Sequence, residues 1–211
     1  MINAFIQLLF PHTCVLCAER SNQSRDLCTD CEKELPWANL ACKQCGIKLS
    51  AASTSDICGE CQQHPPAFDK VFALCNYAEP IDRLIKAAKF RHQLVYTRLL
   101  GDLLAKQVHQ DWYKSQPLPS LLIPVPLHAT RLKERGYNQS LEITKAAAKI
   151  LRLPYAHDYC RRQKATLPQS DLAHDERGKN VFDAFVLKKP RLAPPKSHTT
   201  CDEREEPQVR V

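Results

Sequence analysis

Four C-x-x-C pairs near the start of the chain constrain its fold more than any other feature. They are Cys14/Cys17, Cys28/Cys31, Cys42/Cys45 and Cys58/Cys61, and ten, ten and twelve residues separate successive pairs. A C-x-x-C turn directs two thiolates at one metal ion, and two such turns complete a tetrahedral zinc site. Eight thiolates therefore predict two zinc ions. Because sulfur takes every position, no site is left for water, and the zinc is predicted to be structural.

The order in which the cysteines share the two ions stays open. Consecutive sharing gives each zinc two neighbouring pairs, and an interleaved cross-brace is the alternative. We favour consecutive sharing, because local closure costs less chain entropy. His12 and His64 flank the module and are predicted not to be ligands, since each site already has four cysteines. The unpaired Cys75, Cys160 and Cys201 are predicted to be buried or incidental.

The sequence argues for a cytoplasmic protein without membrane insertion. Its apolar stretch at residues 4–10 is far shorter than a membrane span and lacks the basic flank of a secretion signal. Disulfides between the cysteines would need an oxidising compartment, which the missing signal argues against. The chain has only 5 glycines, and no G-x-G-x-x-G or Walker-type loop is present, which argues against dinucleotide and P-loop chemistry.

Charge is distributed unevenly along the chain. Residues 1–69 contain 5 basic and 8 acidic residues, whereas residues 70–211 contain 25 basic and 15 acidic residues. A basic second part favours an anionic partner, either a phosphorylated metabolite or a nucleic acid. Basic, solvated helix faces are the alternative interpretation.

The second part has the pattern of an α/β domain. A stiff linker at 64–66 precedes a predicted strand over 68–77. Apolar residues at helical spacing predict two helices between Pro80 and about residue 112, and a further helix over Gln139–Leu151. The apolar run at 121–125 predicts a buried strand, so strands and helices alternate.

The loop between the second strand and the last helix carries the densest chemistry. Arg131 and Arg135 offer paired donors to phosphate, and Gly136 permits close approach of the backbone. Asn138 caps the helix that starts at Gln139, and a helix N-terminus favours anions. Loops of this kind, at the carboxyl end of a parallel strand, bind ligands in open α/β sheets. The alternative is that Asn138 is only a cap and that the arginines only solvate a loop.

Three further segments give the chain a specific resemblance. They are IKAAKFRH, which contains Lys89, then VPLHATRLKERGYNQS, and then RRQKATLPQSDLAHDERGKNVFDAF. With the four C-x-x-C pairs, they resemble the ComF family of competence-associated proteins, which have a double zinc ribbon followed by a type I phosphoribosyltransferase-like domain. The resemblance covers about residues 5–187. The last segment places the family pattern on Arg162 or its neighbour Arg161, Thr166, Gln169, Arg177, Asn180 and Phe185.

The resemblance implies binding of phosphoribosyl pyrophosphate (PRPP) together with magnesium. It places the pyrophosphate near Arg131, Arg135, Gly136, Asn138 and Gln139. The implied reaction displaces pyrophosphate from the anomeric carbon of a ribose phosphate, with an acceptor that the sequence leaves open. The family is linked to imported single-stranded DNA, so this DNA and DNA-uptake proteins are implied partners.

The end of the chain departs from the family pattern. Type I phosphoribosyltransferases continue with an apolar strand, two acidic residues and Thr-Thr-Gly, whereas this chain reads KKPRLAPPKSHTTCDEREEPQVRV after Leu187. We therefore expect a double zinc ribbon at 1–64, an incomplete parallel-sheet phosphoribosyltransferase-like domain at 68–187, and a disordered, frameshifted or truncated tail at 188–211. PRPP binding should be weak and catalysis impaired. The alternative is a non-enzymatic zinc-ribbon protein that binds nucleic acid or acts as a scaffold in DNA uptake.

Overall fold

A computed structural model describes residues 12–21, 23–90 and 93–188. The predicted apolar stretch at 4–10, and all of the predicted tail except Lys188, lie outside the described residues. The helices are α1 (Thr29–Lys33), α2 (Gly59–Gln63), α3 (Ile81–Phe90), α4 (Leu94–Gln107), α5 (Ala129–Arg135), α6 (Gln139–Leu151) and α7 (His174–Val181). The strands are β1 (Cys160–Arg162) and β2 (Phe185–Leu187), with a π-helical turn at Val108–Trp112 and a 3-10 turn at Gln169–Asp171.

The first ribbon shares its core with the helices that follow. Leu27 and Leu35 are buried in one apolar cluster with Ile81 of α3 and with Leu99 and Leu103 of α4. A second cluster forms where α4 and the π-helical turn meet α6. Burial of this apolar surface holds the first ribbon and helices α3, α4 and α6 together as one packed body.

Helices α4 and α6 approach each other at Gly101. A Cβ atom at this position would lie 2.5 Å from Ala146 Cβ and 2.7 Å from the Ile143 carbonyl oxygen. Both distances are shorter than van der Waals contact. Gly101 therefore allows the two helix backbones to lie closer together than any other residue would permit.

The predicted helices are present, but the two predicted strands are not. Residues 68–77 form irregular structure in which only Cys75 has a bridge partner, Trp37. The Val71 amide donates to the Gln44 carbonyl at 2.9 Å, so this segment docks on the second ribbon instead of joining a sheet. The strand predicted over 121–125 is reduced to one parallel bridge between Leu122 and its partner Tyr155.

The described residues contain one small sheet. It is an antiparallel pair in which Cys160 faces Leu187, Arg161 faces Val186 and Arg162 faces Phe185. The second part is thus a helical body with one small antiparallel strand pair, and the described residues do not form the expected parallel sheet. A parallel sheet needs a second extended segment alongside residues 121–125. Among the described residues, only Tyr155 forms a bridge with this segment.

Within the described part of the chain, none of the helices combines the length and the apolar character needed to cross a bilayer.

Candidate functional site

The eight paired cysteines lie in two tetrads. The first tetrad is Cys14, Cys17, Cys28 and Cys31, and the second is Cys42, Cys45, Cys58 and Cys61. Within each tetrad all four Sγ atoms lie within 4.8 Å of one another. The structure therefore shows consecutive sharing, and the interleaved arrangement is excluded.

The sulfur spacing fits zinc and does not fit disulfide bonds. The Sγ atoms of Cys17 and Cys28 are 3.8 Å apart, and those of Cys45 and Cys58 are 3.7 Å apart. Four Zn–S bonds of about 2.3 Å in a tetrahedron place neighbouring sulfurs about 3.8 Å apart. A disulfide would need about 2.05 Å. The two tetrads are thus built to hold two structural zinc ions.

The two ribbons repeat the same local turn. The amide of Ala18 donates to the Cys14 carbonyl, and the amide of Gly46 donates to the Cys42 carbonyl, both at 2.9 Å. Ala18 and Gly46 have φ angles of 63° and 73°, which lie in the left-handed region. This conformation turns the chain back after each first C-x-x-C pair. Glycine takes it without strain, and the first ribbon achieves the same turn with alanine.

Backbone amides prepare one cysteine in each tetrad to bind metal as a thiolate. Burial alone would raise the pKa of Cys14 and Cys42. Amide donors outweigh it, chiefly from Cys28 at the first site and Cys58 at the second, and lower both pKa values to about 6. The Cys58 amide lies 3.3 Å from Cys42 Sγ. His12 is not part of either tetrad, and its Nδ1 is hydrogen bonded to Asp26 at 2.7 Å.

The predicted anion-binding loop contains a helix that the sequence analysis missed. In α5, the His128 ring accepts the Thr130 amide at the N-terminus, and Gly136, with φ 73°, ends the helix. Asn138 then caps α6 by accepting the Ser140 amide at 3.0 Å, and its own amide donates to the Val125 carbonyl at 3.0 Å. The signal for α5 was the run ATRLKER before a glycine.

The two predicted arginines have different surroundings. Arg131 forms a surface ion pair with Glu134 at 3.2 Å. Arg135 donates to Gln139 Oε1 at 3.1 Å. Gln139 is buried, and its Nε2 atom has no hydrogen-bond partner among the described residues. A buried donor without a partner is costly, so a ligand oxygen at this position would stabilise the loop.

Lys89, which lies far from the loop in sequence, is next to it in the structure. The Tyr137 hydroxyl donates to the Ala88 carbonyl and ties the loop to α3. Lys89 is half-buried, and burial together with the nearby Arg135 cation lowers its pKa. Two neighbouring cations repel each other, and an anion between them would relieve that repulsion.

A cavity of about 880 Å³ opens beside this loop. Its lining includes Gly136 and Asn138 of the loop together with His157, Asp158 and Arg161, whereas Lys89, Arg135 and Gln139 are not among the lining residues. Arg161 thus lines the same cavity as the loop, whereas its neighbour Arg162 does not. Sequence reasoning did not single out His157 and Asp158, because no motif connects them to the loop.

Other predicted residues stabilise the β1–β2 hairpin. Arg162 donates to the Thr166 hydroxyl, and its guanidinium carbon lies 5.5 Å from the centre of the Phe185 ring. This is a cation–π contact between the two strands. The Arg162 Nε atom is buried and has no hydrogen-bond partner among the described residues.

The remaining motif residues donate hydrogen bonds to backbone carbonyls in the segment between β1 and β2. Gln169 donates to the Arg177 carbonyl at 3.3 Å, and Asn180 donates to the Leu167 carbonyl at 3.0 Å. The Arg177 guanidinium donates to the Leu172 carbonyl at 3.3 Å. These bonds order the segment between the strands, and the structure does not bring these side chains to Arg135.

Comparison with known proteins identifies the family. Residues 5–62 match the family described as Double zinc ribbon domain. Competence protein F of Haemophilus influenzae is 31% identical over 185 residues, which cover 84% of this chain and 77% of that protein. The chain belongs to the ComF family. Another ComF relative, the DNA utilization protein YhgH of Salmonella typhi, is 30% identical over 185 residues, covering 87% of this chain and 81% of that protein.

The DNA utilization protein YhgH of Escherichia coli strain K12 is also 30% identical to this ComF chain, over 165 residues that cover 78% of the chain and 72% of that protein. No solved structure matches the chain. The family membership thus rests on sequence identity over most of the chain and on the double zinc ribbon.

Proposed function

We propose that this protein acts in DNA utilisation and that its second part is a phosphoribosyltransferase-like domain that binds pyrophosphate groups at the 131–139 loop. The names of the relatives support the first element, and the resemblance of the loop supports the second. The observation that carries the proposal is the buried Nε2 atom of Gln139, which has no partner among the described residues, while Oε1 of the same side chain accepts from Arg135, near Lys89.

Lys89 and the residues of the loop have distinct roles in binding. Lys89 and Arg135 supply positive charge, and partial burial of Lys89 strengthens its attraction to an anion. Gln139 Nε2 donates a hydrogen bond to a phosphate oxygen. Asn138 holds the start of α6, where amide groups favour negative charge, toward the cavity. The chain's own residues thus bind and orient the pyrophosphate end of PRPP.

Magnesium would enter this site with its ligand. The two cysteine tetrads are the only groups of three or more metal-ligating side chains within the described residues. Asp158 and Glu142 line the cavity as separate carboxylates. Mg²⁺ binds phosphate oxygens together with one or two carboxylates, so these residues suit a magnesium–pyrophosphate complex. When bound, the ion would neutralise charge on the leaving group.

We expect Arg135→Ala to weaken pyrophosphate binding by about tenfold, because a charge-assisted hydrogen bond is worth about 1.5 to 3 kcal/mol. Isothermal titration calorimetry with magnesium pyrophosphate measures this effect. Lys133→Ala is the matched control, since it removes one charge from an exposed position of the same helix. Equal affinities of Arg135→Ala and the parent chain would overturn the proposed site.

A polypeptide of these 211 residues is expected to bind PRPP weakly and to transfer no ribosyl group. The loop meets only the pyrophosphate end, and the sequence has no acidic pair followed by Thr-Thr-Gly for the ribose and the 5′-phosphate. Alignment of reacting groups supplies about 7 to 11 kcal/mol of a barrier.

The test compares this polypeptide with a version in which residues from Lys188 onward are replaced by an apolar strand and a D-D-x-x-T-T-G loop. The restored version should bind PRPP at least tenfold more tightly. Micromolar PRPP binding by the original polypeptide would contradict the prediction.

A non-enzymatic, nucleic-acid-binding role is the second candidate. Two observations favour it: residues 70–211 contain 25 basic and 15 acidic residues, and Gln169, Arg177 and Asn180 bond to carbonyls between β1 and β2, where they serve structure. If the restored version gains no PRPP affinity while the parent chain binds single-stranded DNA, this second function is the correct one.

A further inference from the structure

A second cavity, of about 690 Å³, lies between the first ribbon and helices α4 and α6. Arg25 of the ribbon lines one wall. Helix α4 contributes Arg98, Asp102 and Lys106, which follow one another at intervals of four residues and so share one face. Helix α6 contributes Lys145 and Lys149, with the same spacing, together with Glu142. None of these residues belongs to the 131–139 loop.

The close helix contact brings the two charged rows together. Gly101 lies beside Ala146, and Ala146 is itself part of the cavity wall. The rows on α4 and α6 therefore face one opening. The cavity has the size of small-ligand sites, which occupy about 300 to 1,000 Å³.

The lining carries a surplus of positive charge. Five basic residues face two carboxylates, those of Asp102 and Glu142. Glu142 pairs with Lys145 at 2.8 Å. Asp102 is half-buried, and desolvation raises its pKa despite the nearby Arg25 and Arg98 cations.

A third carboxylate, that of Glu32, does not neutralise the positive charge of the cavity lining. Glu32 is buried next to the first ribbon and accepts hydrogen bonds from both Arg25 and Lys106. One carboxylate thus holds two cations, and the group keeps one net positive charge. The ion pairs also hold Arg25 and Lys106 in place, so their charges are positioned before a ligand arrives.

Three donors in the cavity have no hydrogen-bond partner in the described part of the chain. Arg98 and Lys149 are exposed at the rim and form neither a hydrogen bond nor an ion pair there. The Nε atom of Arg25 is buried within the wall and also has no partner. A tetrahedral oxyanion would provide acceptors for such donors.

We propose that this cavity is a second anion-binding site, which binds phosphate groups through Arg25, Arg98 and Lys149. The phosphates come either from a free polyphosphate or from the backbone of a single-stranded nucleic acid. The chemistry is the same in both cases, because guanidinium and ammonium groups recognise the oxyanion itself. Glu142 lines both cavities, but Arg25, Arg98 and Lys149 are not part of the proposed pyrophosphate site, so this proposal does not depend on it.

The test uses the full chain carrying Arg135→Ala, so that the loop contributes little. Inorganic tripolyphosphate and an oligothymidylate are titrated at fixed salt concentration. Arg98→Gln combined with Lys149→Gln should weaken tripolyphosphate binding at least fivefold, because it removes two charge-assisted contacts at an open rim. Asp102→Asn should tighten binding severalfold, since it removes a negative charge from the wall.

Lys114→Gln is the matched control, because it removes one exposed positive charge outside this cavity. Zinc content and the thermal unfolding curve show whether each variant is folded. If the double variant is not folded, the single variant Lys149→Gln is titrated in its place. Weaker binding of both probes supports a site for phosphate in general, and weaker binding of the oligothymidylate alone assigns the site to a nucleic-acid strand. Unchanged affinities for both probes in the double variant and in Asp102→Asn would overturn the proposal.

Discussion

The Cys14→Ser variant is expected to lose one zinc ion and most of its cooperative unfolding transition, whereas Cys42→Ser is expected to lose one zinc ion and keep the helical core. The first ribbon contributes Leu27 and Leu35 to the cluster that contains Leu99 of α4. A structural zinc site contributes about 10 to 16 kcal/mol of apparent binding free energy, as much as or more than the total stability of most domains. Loss of the first site therefore removes part of the shared core.

The measurements are zinc per chain by elemental analysis and thermal unfolding by circular dichroism. The parent chain should contain about two zinc ions, and each variant about one. Equal loss of helical signal in the two variants would contradict the inference that only the first ribbon shares the helical core. Loss of both metals in either variant would argue against consecutive sharing.

The Gly101→Ala variant is expected to be less stable than the parent chain by about 1 to 3 kcal/mol, the usual cost of overpacking. Alanine favours a helix over glycine by about 1 kcal/mol, so the substitution would be stabilising at an open position. At Gly101, however, the new methyl group would lie 2.5 Å from Ala146 Cβ and 2.7 Å from the Ile143 carbonyl oxygen. The carbonyl cannot move without shifting the backbone of α6.

Gly178→Ala provides the matched control for this substitution. Gly178 lies inside α7, and nothing lies within 4 Å of a Cβ added there. This variant should be stabilised by up to about 1 kcal/mol. Denaturant unfolding of both variants gives the comparison. A stabilising effect at both positions would show that Gly101 does not set the distance between α4 and α6.

Local features of this protein were predictable from its sequence. The cysteine tetrads follow from spacing, because each ribbon closes within 18 or 20 residues. Helices α3, α4 and α6 follow from apolar periodicity, since each buries one face. The cap at Asn138 was also predicted correctly, because a cap depends only on the next few residues.

The predicted strands failed because a strand depends on its partners. Residues 68–77 have the composition of a strand, but Val71 bonds to the second ribbon and Phe72 stacks on Trp112 with 4.9 Å between ring centres. Apolar and β-branched residues indicate a half-buried surface without indicating which segment will cover it. The role of Arg162 could not be predicted from the sequence either, since its contact with Phe185 depends on the pairing of β1 with β2.

Local spacing and periodicity were sufficient to predict the two cysteine tetrads, the main helices and the cap at Asn138, because residues close together in the chain decide each of them. The packing of these elements in three dimensions placed the first ribbon in the helical core and Lys89 beside Arg135. It also decided that Arg25, Arg98 and Lys149 surround one cavity. These arrangements join residues from 46 to 124 positions apart, and such contacts depend on how preformed elements pack, which local patterns do not encode.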